Sequence, residues 1–289
     1  MEKNVLLKLI DPTKTTIDSN GIYVTNKILS TEASASKKVW ENIYSYSLKT
    51  LIKDLQEFTK DKLNDHLFYI DNCYSFNPST IYLEIGCGPA YIGNYLAANT
   101  NCYFVGIDIN YPMLITLKEY FDSVGFDKYI LIHGDIFNIP IKDSTVDFIY
   151  GGGVIEHISN TVEVLKESHR ILKPSGISFN TVPAMNMWWF LRFFRNIPDL
   201  PVLRQVFEYI HIKLLHNIIL NKFYGYELSF TINKLRKIHL ESGFSKIKIT
   251  PFAFHPSTNK LRNRILRNLY FYFQKNSLTT AIYLVCARK

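Results

Sequence analysis

From Ser79 onward the chain changes rhythm, and short apolar runs follow one another with stretches of helical spacing between them. The runs are Ile81–Ile85, CYFVGID (102–108), YILIHGD ending at Asp135, VDFIYG (146–151) and GISFNTV (176–182). Strands that are apolar at nearly every position are buried on both faces. The alternation therefore predicts an α/β fold, a mostly parallel sheet layered by helices. In such sheets ligands bind beyond the carboxyl ends of the strands, so the polar residues at those ends are the first candidates for a site.

The first of these ends reads YLEIGCGPAYIG (82–93). Gly86 and Gly88 lack a β-carbon, which permits a turn at positive φ and lets a flat ligand lie against bare backbone. A dinucleotide site would need a small residue at position 91 for close helix packing, and Tyr91 stands there. Glu84 would repel phosphates but could receive an amino group or a cationic centre. Ala90 is expected to keep an ordinary φ. Asp108 ends the second strand 22 residues after Gly86 and suits a ribose diol, because a carboxylate can accept from both hydroxyls. Asp135 ends the third strand, and GGGVIEHIS (151–159) follows the fourth. There, His157 is a candidate general base, because histidine's reference pKa lies near neutrality, with Glu156 to orient it or to act itself; a helix-start Glu156 beside a packing His157 is the competing reading.

Taken in order, these residues resemble the class I S-adenosylmethionine-dependent methyltransferases, particularly the small-molecule branch. LEIGCGPA resembles the family's E/D-x-G-x-G-x-G loop, with Ala90 where a third glycine usually lies. VGIDIN is similar to its acidic second-strand end, GDIFNIP to its adenine-side loop, HRILKPSG to the segment before its fifth strand, and ESGF (241–244) to the turn before its sixth. The resemblance implies a seven-stranded, mostly parallel Rossmann-like sheet with helices on both faces, and S-adenosyl-L-methionine as cofactor. It implies that Glu84, Gly86 and Gly88 frame the methionine moiety, that Asp108 binds the ribose and Ile109 packs on adenine, that Asp135 and Ile136 hold the adenine edge, and that Gly151 lines the methyl side. Quinone-forming methyltransferases look similar at Glu156–His157 but carry a further acid before the pair. Gly153 stands there, so no metal is expected.

Around this core, residues 1–75 read as a helical N-terminal extension, with Trp40, Ile43, Leu48, Leu51, Ile52 and Leu55 at three- and four-residue spacings. Residues 76–289 read as the methyltransferase domain, carrying a helical cap insertion over about 184–230 and a basic amphipathic insertion over about 256–277. The cap contains MNMWWFLRFFRN, whose Arg192 and Arg195 give the aromatic stretch a basic edge, and His211, His216, Tyr224, Tyr226 and Glu227 as acceptor-side groups. Its FYGYELSFT run is similar to methyltransferases found among polysaccharide-modifying enzymes, which implies sugars or glycolipids. In the second insertion Leu261, Ile265 and Leu269 recur every four residues, with Arg262, Arg264 and Arg267 largely off that stripe. A solvated helix on the sheet edge, an anionic membrane surface and a phosphate-bearing substrate all fit this pattern.

The 289 residues carry a net charge of +8, yet nine of the 33 basic residues and none of the 25 acidic ones lie beyond Glu241. The first 241 residues are thus at −1, and any anionic partner meets the C-terminal end. Nucleic acid is disfavoured, since the basic residues sit in one stretch and no recognition module is evident. Four scattered cysteines without a C-x-x-C pair, no apolar run long enough to span a bilayer and no secretory signal fit a cytoplasmic, membrane-peripheral setting. The expected activity is methyl transfer to a small-molecule, sugar or lipid-linked acceptor at oxygen. The alternatives are an RNA methyltransferase, an NAD(P)-dependent oxidoreductase and a cofactor-binding module without turnover.

Overall fold

The computed structural model describes residues 3–26, 29–192, 196–211, 226–253 and 264–289. In chain order its elements are α1 (Lys3–Leu9), β1 (Thr15–Ile17), β2 (Tyr23–Thr25), α2 (Thr31–Ile43), α3 (Leu48–Asp71), β3 (Ile81–Ile85), α4 (Tyr91–Thr100), β4 (Tyr103–Asp108), α5 (Tyr111–Ser123), β5 (Tyr129–His133) and β6 (Val146–Gly152). After a 3-10 turn at Ile155–His157 come α6 (Thr161–Ile171) and β7 (Leu172–Pro183); a second 3-10 turn, Trp189–Arg192, leads to β8 (Ile197–Pro198) and α7 (Pro201–Tyr209). The chain closes with β9 (Leu228–Ser229), α8 (Ile232–Glu241), β10 (Lys246–Phe252), α9 (Arg264–Gln274) and β11 (Ile282–Arg288). Two compact units result: Met1–Gly151 with Lys166–Ser178 and Arg288–Lys289, and Gly152–Leu165 with Phe179–Ala287.

In the first unit the strands run in the order β1-β2-β5-β4-β3-β6, followed by the first part of β7. β3, β4 and β5 pair in parallel with β4 central, β6 joins the other side of β3, and every residue of β3 and β4 is buried, so both faces are covered. Tyr82, Phe104 and Phe148 stack across three neighbouring strands at 5.9 and 6.0 Å between ring centres, each fully buried. Burying a large apolar side chain is worth about 1.5–3 kcal/mol, so this ladder anchors the sheet beneath the strand ends. Local chemistry sets the helix starts: Asn110 accepts from the Met113 amide to open α5 beside Pro112, and Ser47 accepts from the Thr50 amide to open α3.

Among the described residues the sheet has nine strands where seven were expected. The additional two, β1 and β2, are three residues each, pair antiparallel with each other, and attach through β2 alongside β5. They lie within the N-terminal 75 residues, where helices alone were expected. Three residues are too few to show the alternation by which a strand is read from sequence.

In the second unit the remaining part of β7 is followed by β11 and then β10. β8 and β9 form a separate parallel pair, Ile197 opposite Leu228. Thr231 caps α8 by accepting from the Lys234 amide. Of the expected cap insertion, residues 193–195 and 212–225 lie outside the described residues, and with them Arg195, His216 and Tyr224; Leu261 and Arg262 of the basic insertion lie outside as well.

Candidate functional site

Register decides what meets at the carboxyl edge of the first unit. Ile85 is opposite Ile107, Asp108 opposite His133, and Glu84 opposite Tyr150, so the residues that follow β3, β4, β5 and β6 emerge side by side. Gly86, Asp108, Asp135 and Gly151 are thereby brought to one edge. Gly86 and Gly88 take φ of 57° and 44°, the left-handed turn that the sequence called for. Ala90 departs from expectation: it too is left-handed, at φ 51° and ψ 47°, and is fully buried as the residue before α4. An alanine in that region carries about 1 kcal/mol of strain, held here by the loop around it.

Asp108 is buried and ties this loop down. One carboxylate oxygen accepts from the Gly88 amide at 2.7 Å, the other from the Asn110 amide at 2.7 Å. Burial raises its pKa, and these amides, with that of Ile109, pull it back. A carboxylate offers about four lone-pair sites, and what these amides leave is an acceptor for a ribose hydroxyl. Asp135, also buried, accepts from Ser30 at 2.8 Å and from Phe137 at 3.1 Å, with buried Ile136 between them in sequence. The acids, the bare turn and the apolar neighbour have the chemistry an adenosyl group would call for.

Glu84 sits differently from the other acids. Its carboxylate lies under α4, accepting from the Tyr82 hydroxyl at 2.9 Å and the Gly93 amide at 3.0 Å. Burial pushes its pKa up to about 8, against these two hydrogen bonds, and the charge of Asp108 adds to the rise. A carboxyl raised in the folded state holds a proton that the unfolded chain releases. Stability from this group is full below the unfolded pKa near 4.5 and is lost as pH rises through about 8. Melting temperatures of the wild type are therefore expected to fall between pH 5 and 8, and Glu84→Gln, which keeps an acceptor for both donors, to flatten that slope. An unchanged slope in the variant would assign the pH dependence to another group.

The residues that sequence reading missed come from the N-terminal segment. The ring of Tyr44 would lie 3.7 Å from a β-carbon at Gly88, the Trp40 carbonyl accepts from the Asn110 side chain at 3.0 Å, and the Ser30 amide reaches Asp135. Trp40 and Tyr44 stack on each other at 6.2 Å. Gly93 was missed too: it supplies the close helix–strand approach sought at position 91, while the Tyr91 hydroxyl turns to Asp54 of α3. A groove of about 530 Å³ near β1, bordered by Leu6, Ile17, Tyr23, Lys118 and Tyr129, contains none of the predicted site residues.

His157 and Glu156 belong to the second unit, in the 3-10 turn after β6. His157 Nδ1 lies 2.6 Å from the Tyr226 carbonyl. A carbonyl only accepts, so Nδ1 carries the proton and Nε2 is the basic nitrogen of the neutral ring. The Tyr226 hydroxyl is held in turn by Arg204 at 2.7 Å and Glu208 at 2.6 Å, and Arg204 also bonds the Ser159 carbonyl and Asp199. Tyr226 therefore orients His157 through its backbone, a role its side chain alone did not suggest. Glu156 and Glu227 are buried, as is His211.

Residues 83–179 match the family model for a methyltransferase domain, a span that includes every residue the sequence suggested for the cofactor. The chain carries a methyltransferase domain over residues 83–179. The methyltransferase is 26% identical over 184 residues to the demethylmenaquinone methyltransferase of Staphylococcus haemolyticus, covering 59% of this chain and 71% of that one. It is 26% identical over 113 residues to the sterol 24-C-methyltransferase of Schizosaccharomyces pombe, covering 39% of this chain but only 30% of the relative, so it spans less than a third of that enzyme. The fold is shared with geranyl diphosphate C-methyltransferase from Streptomyces coelicolor, TM-score 0.59 at 11% identity over 90% of this chain and 98% of that one. The dinucleotide reading of the Gly86 turn is set aside, and S-adenosylmethionine is the cofactor of the family.

Proposed function

We propose that this methyltransferase transfers the methyl group of S-adenosylmethionine to a hydroxyl oxygen of a lipid-linked small molecule, met at an anionic membrane surface. One observation carries the cofactor half of this reading: parallel register sets the Gly86–Gly88 turn, Asp108, Asp135 and Gly151 side by side at one strand edge. In the proposal Asp108 takes the ribose, Ile109 and Ile136 enclose the adenine, Asp135 binds its edge, and Gly86, Gly88 and Gly151 leave room for the methionine end. Glu84 acts beneath the loop, fixing α4 through Gly93.

When bound, the cofactor supplies an already activated methyl group on a sulfonium, so the chain's task is chiefly to hold the acceptor in line. A hydroxyl acceptor also needs a base. His157 fits this role, because Tyr226 holds Nδ1 protonated and leaves Nε2 to take the hydroxyl proton as the new carbon–oxygen bond forms. Glu156, buried beside it in the same turn, supports the position of the ring.

The relatives are named for a sterol, demethylmenaquinone and geranyl diphosphate, which favours a small molecule over RNA. The exposed apolar residues of the second unit favour a lipid over a free sugar. Incubation with methyl-labelled S-adenosylmethionine and fractionated extract is expected to place label in the lipid pool, and label confined to RNA or to water-soluble sugars would overturn the acceptor assignment. His157→Ala is expected to lower kcat by roughly 100- to 1,000-fold with cofactor affinity unchanged. Full turnover in that variant would remove the base.

A further inference from the structure

Among the described residues, most of the exposed large apolar side chains belong to the second unit. In the stretch from Met187 to Leu191, Met187, Trp188, Phe190 and Leu191 are 41–66% exposed, while Trp189 packs on Phe207. On α9, Leu269 and Phe273 are one turn apart and 49% and 42% exposed. The expectation of a helix laid on the sheet edge by its Ile265–Leu269 stripe is therefore not met, since Ile265 is 77% exposed.

The two elements form one platform. The Trp188 ring lies 6.4 Å from that of Phe273 and 6.4 Å from that of Phe190. Asn186 donates to the carbonyls of Ser277 and Thr280, and Arg192 to those of Ala184 and Ala281, locking the 3-10 turn to the segment that follows α9. Arg192 is thus occupied with backbone and is not the basic edge expected of it. The positive charge comes from the chain beyond Glu241, with nine basic residues and no acidic one, including exposed Lys275, whose ammonium sits 4.3 Å over Phe271.

We propose that this platform is a docking surface for an anionic bilayer, with Trp188, Phe190, Leu191, Leu269 and Phe273 entering the headgroup boundary and Lys275 meeting lipid phosphates. Aromatic and aliphatic side chains on one short surface, with Lys275 beside them in a stretch of sequence that has no acid after Glu241, match that interface. Each Lys or Arg near such a surface gains about 1 kcal/mol from anionic lipid. A second copy of the chain is a poorer occupant, because a symmetric contact would bring two identical basic segments together. The inference rests on the lipid-linked reading for its purpose, but docking can be measured without any methyl transfer.

The test is sedimentation of the full chain, without cofactor, with phosphatidylcholine vesicles and with vesicles containing one third phosphatidylglycerol. Binding is expected only to the anionic vesicles and is expected to weaken with salt. Phe190→Ser with Phe273→Ser should reduce it by about tenfold or more, and Lys275→Glu by several-fold, with S-adenosylmethionine affinity retained as evidence of folding. Equal binding of wild type and variants, no binding to anionic vesicles, or a dimer in light scattering that the serine variant dissociates would each overturn the proposal. Docking without label in any lipid would leave the surface standing and remove the lipid acceptor; lipid methylation without docking would do the reverse.

Discussion

Asp108→Ala is expected to lower affinity for S-adenosylmethionine by at least about a hundredfold, near 3 kcal/mol, the scale of losing charge-assisted hydrogen bonds inside a protein. The carboxylate is buried at the end of β4, and its two oxygens already order the loop through Gly88 and Asn110. Its removal takes away the diol acceptor and leaves two loop amides without their partner. Asp108→Asn is expected to do nearly as badly, because an amide nitrogen would face one of those two N–H donors. Calorimetry with the cofactor and with S-adenosylhomocysteine checks the assignment. Both share the ribose, so both affinities should fall together; a loss confined to the sulfonium compound would mean that Asp108 acts through charge and not through the diol.

How far the site could be read from sequence depended on whether the contact was local. Gly86, Gly88 and Asp108 could be placed at one strand edge because β3 and β4 are buried throughout, and Asp135 because the middle of β5 is, since ligands of such sheets bind beyond the strand ends. The caps at Asn110 and Thr231 are local contacts too, since a capping side chain reaches only three residues ahead. For Glu84, expected at the methionine moiety, the sequence also held a second clue: in a strand, residues two apart share a face, and its carboxyl meets the Tyr82 hydroxyl and the Gly93 amide. Ala90 was misjudged because residue type gives only a preference for φ, and the surrounding turn overrode it. Contacts made by Ser30, Trp40 and Tyr44 bridge segments 44 to 105 residues apart through backbone groups and ring faces, which leave no local pattern. Tyr226 escaped for the same reason, because it orients His157 by its carbonyl, a group every residue has.

Gly93→Ala is expected to destabilise the fold by about 2 kcal/mol net and to weaken cofactor binding with it. A β-carbon there would stand 2.3 Å from the edge of the Phe104 ring and 2.8 Å from the Glu84 carboxylate. Phe104 cannot easily withdraw, since it is fully buried between Tyr82 at 5.9 Å and Phe121 at 5.5 Å. Overpacking of this kind costs about 1–3 kcal/mol or somewhat more, and the gain of about 1 kcal/mol from replacing a helical glycine by alanine offsets only part of it. Urea denaturation gives the net value, and a double-mutant cycle separates its parts. In a Phe104→Leu background, where the ring edge is gone, the same Gly93→Ala change should cost much less or become stabilising, a coupling of about 1–2 kcal/mol. Additive effects would show that α4 does not rest on β4 at this point. The Gly86–Gly88 turn leads directly into α4, so the cofactor loop would then need another support than the one Gly93 provides.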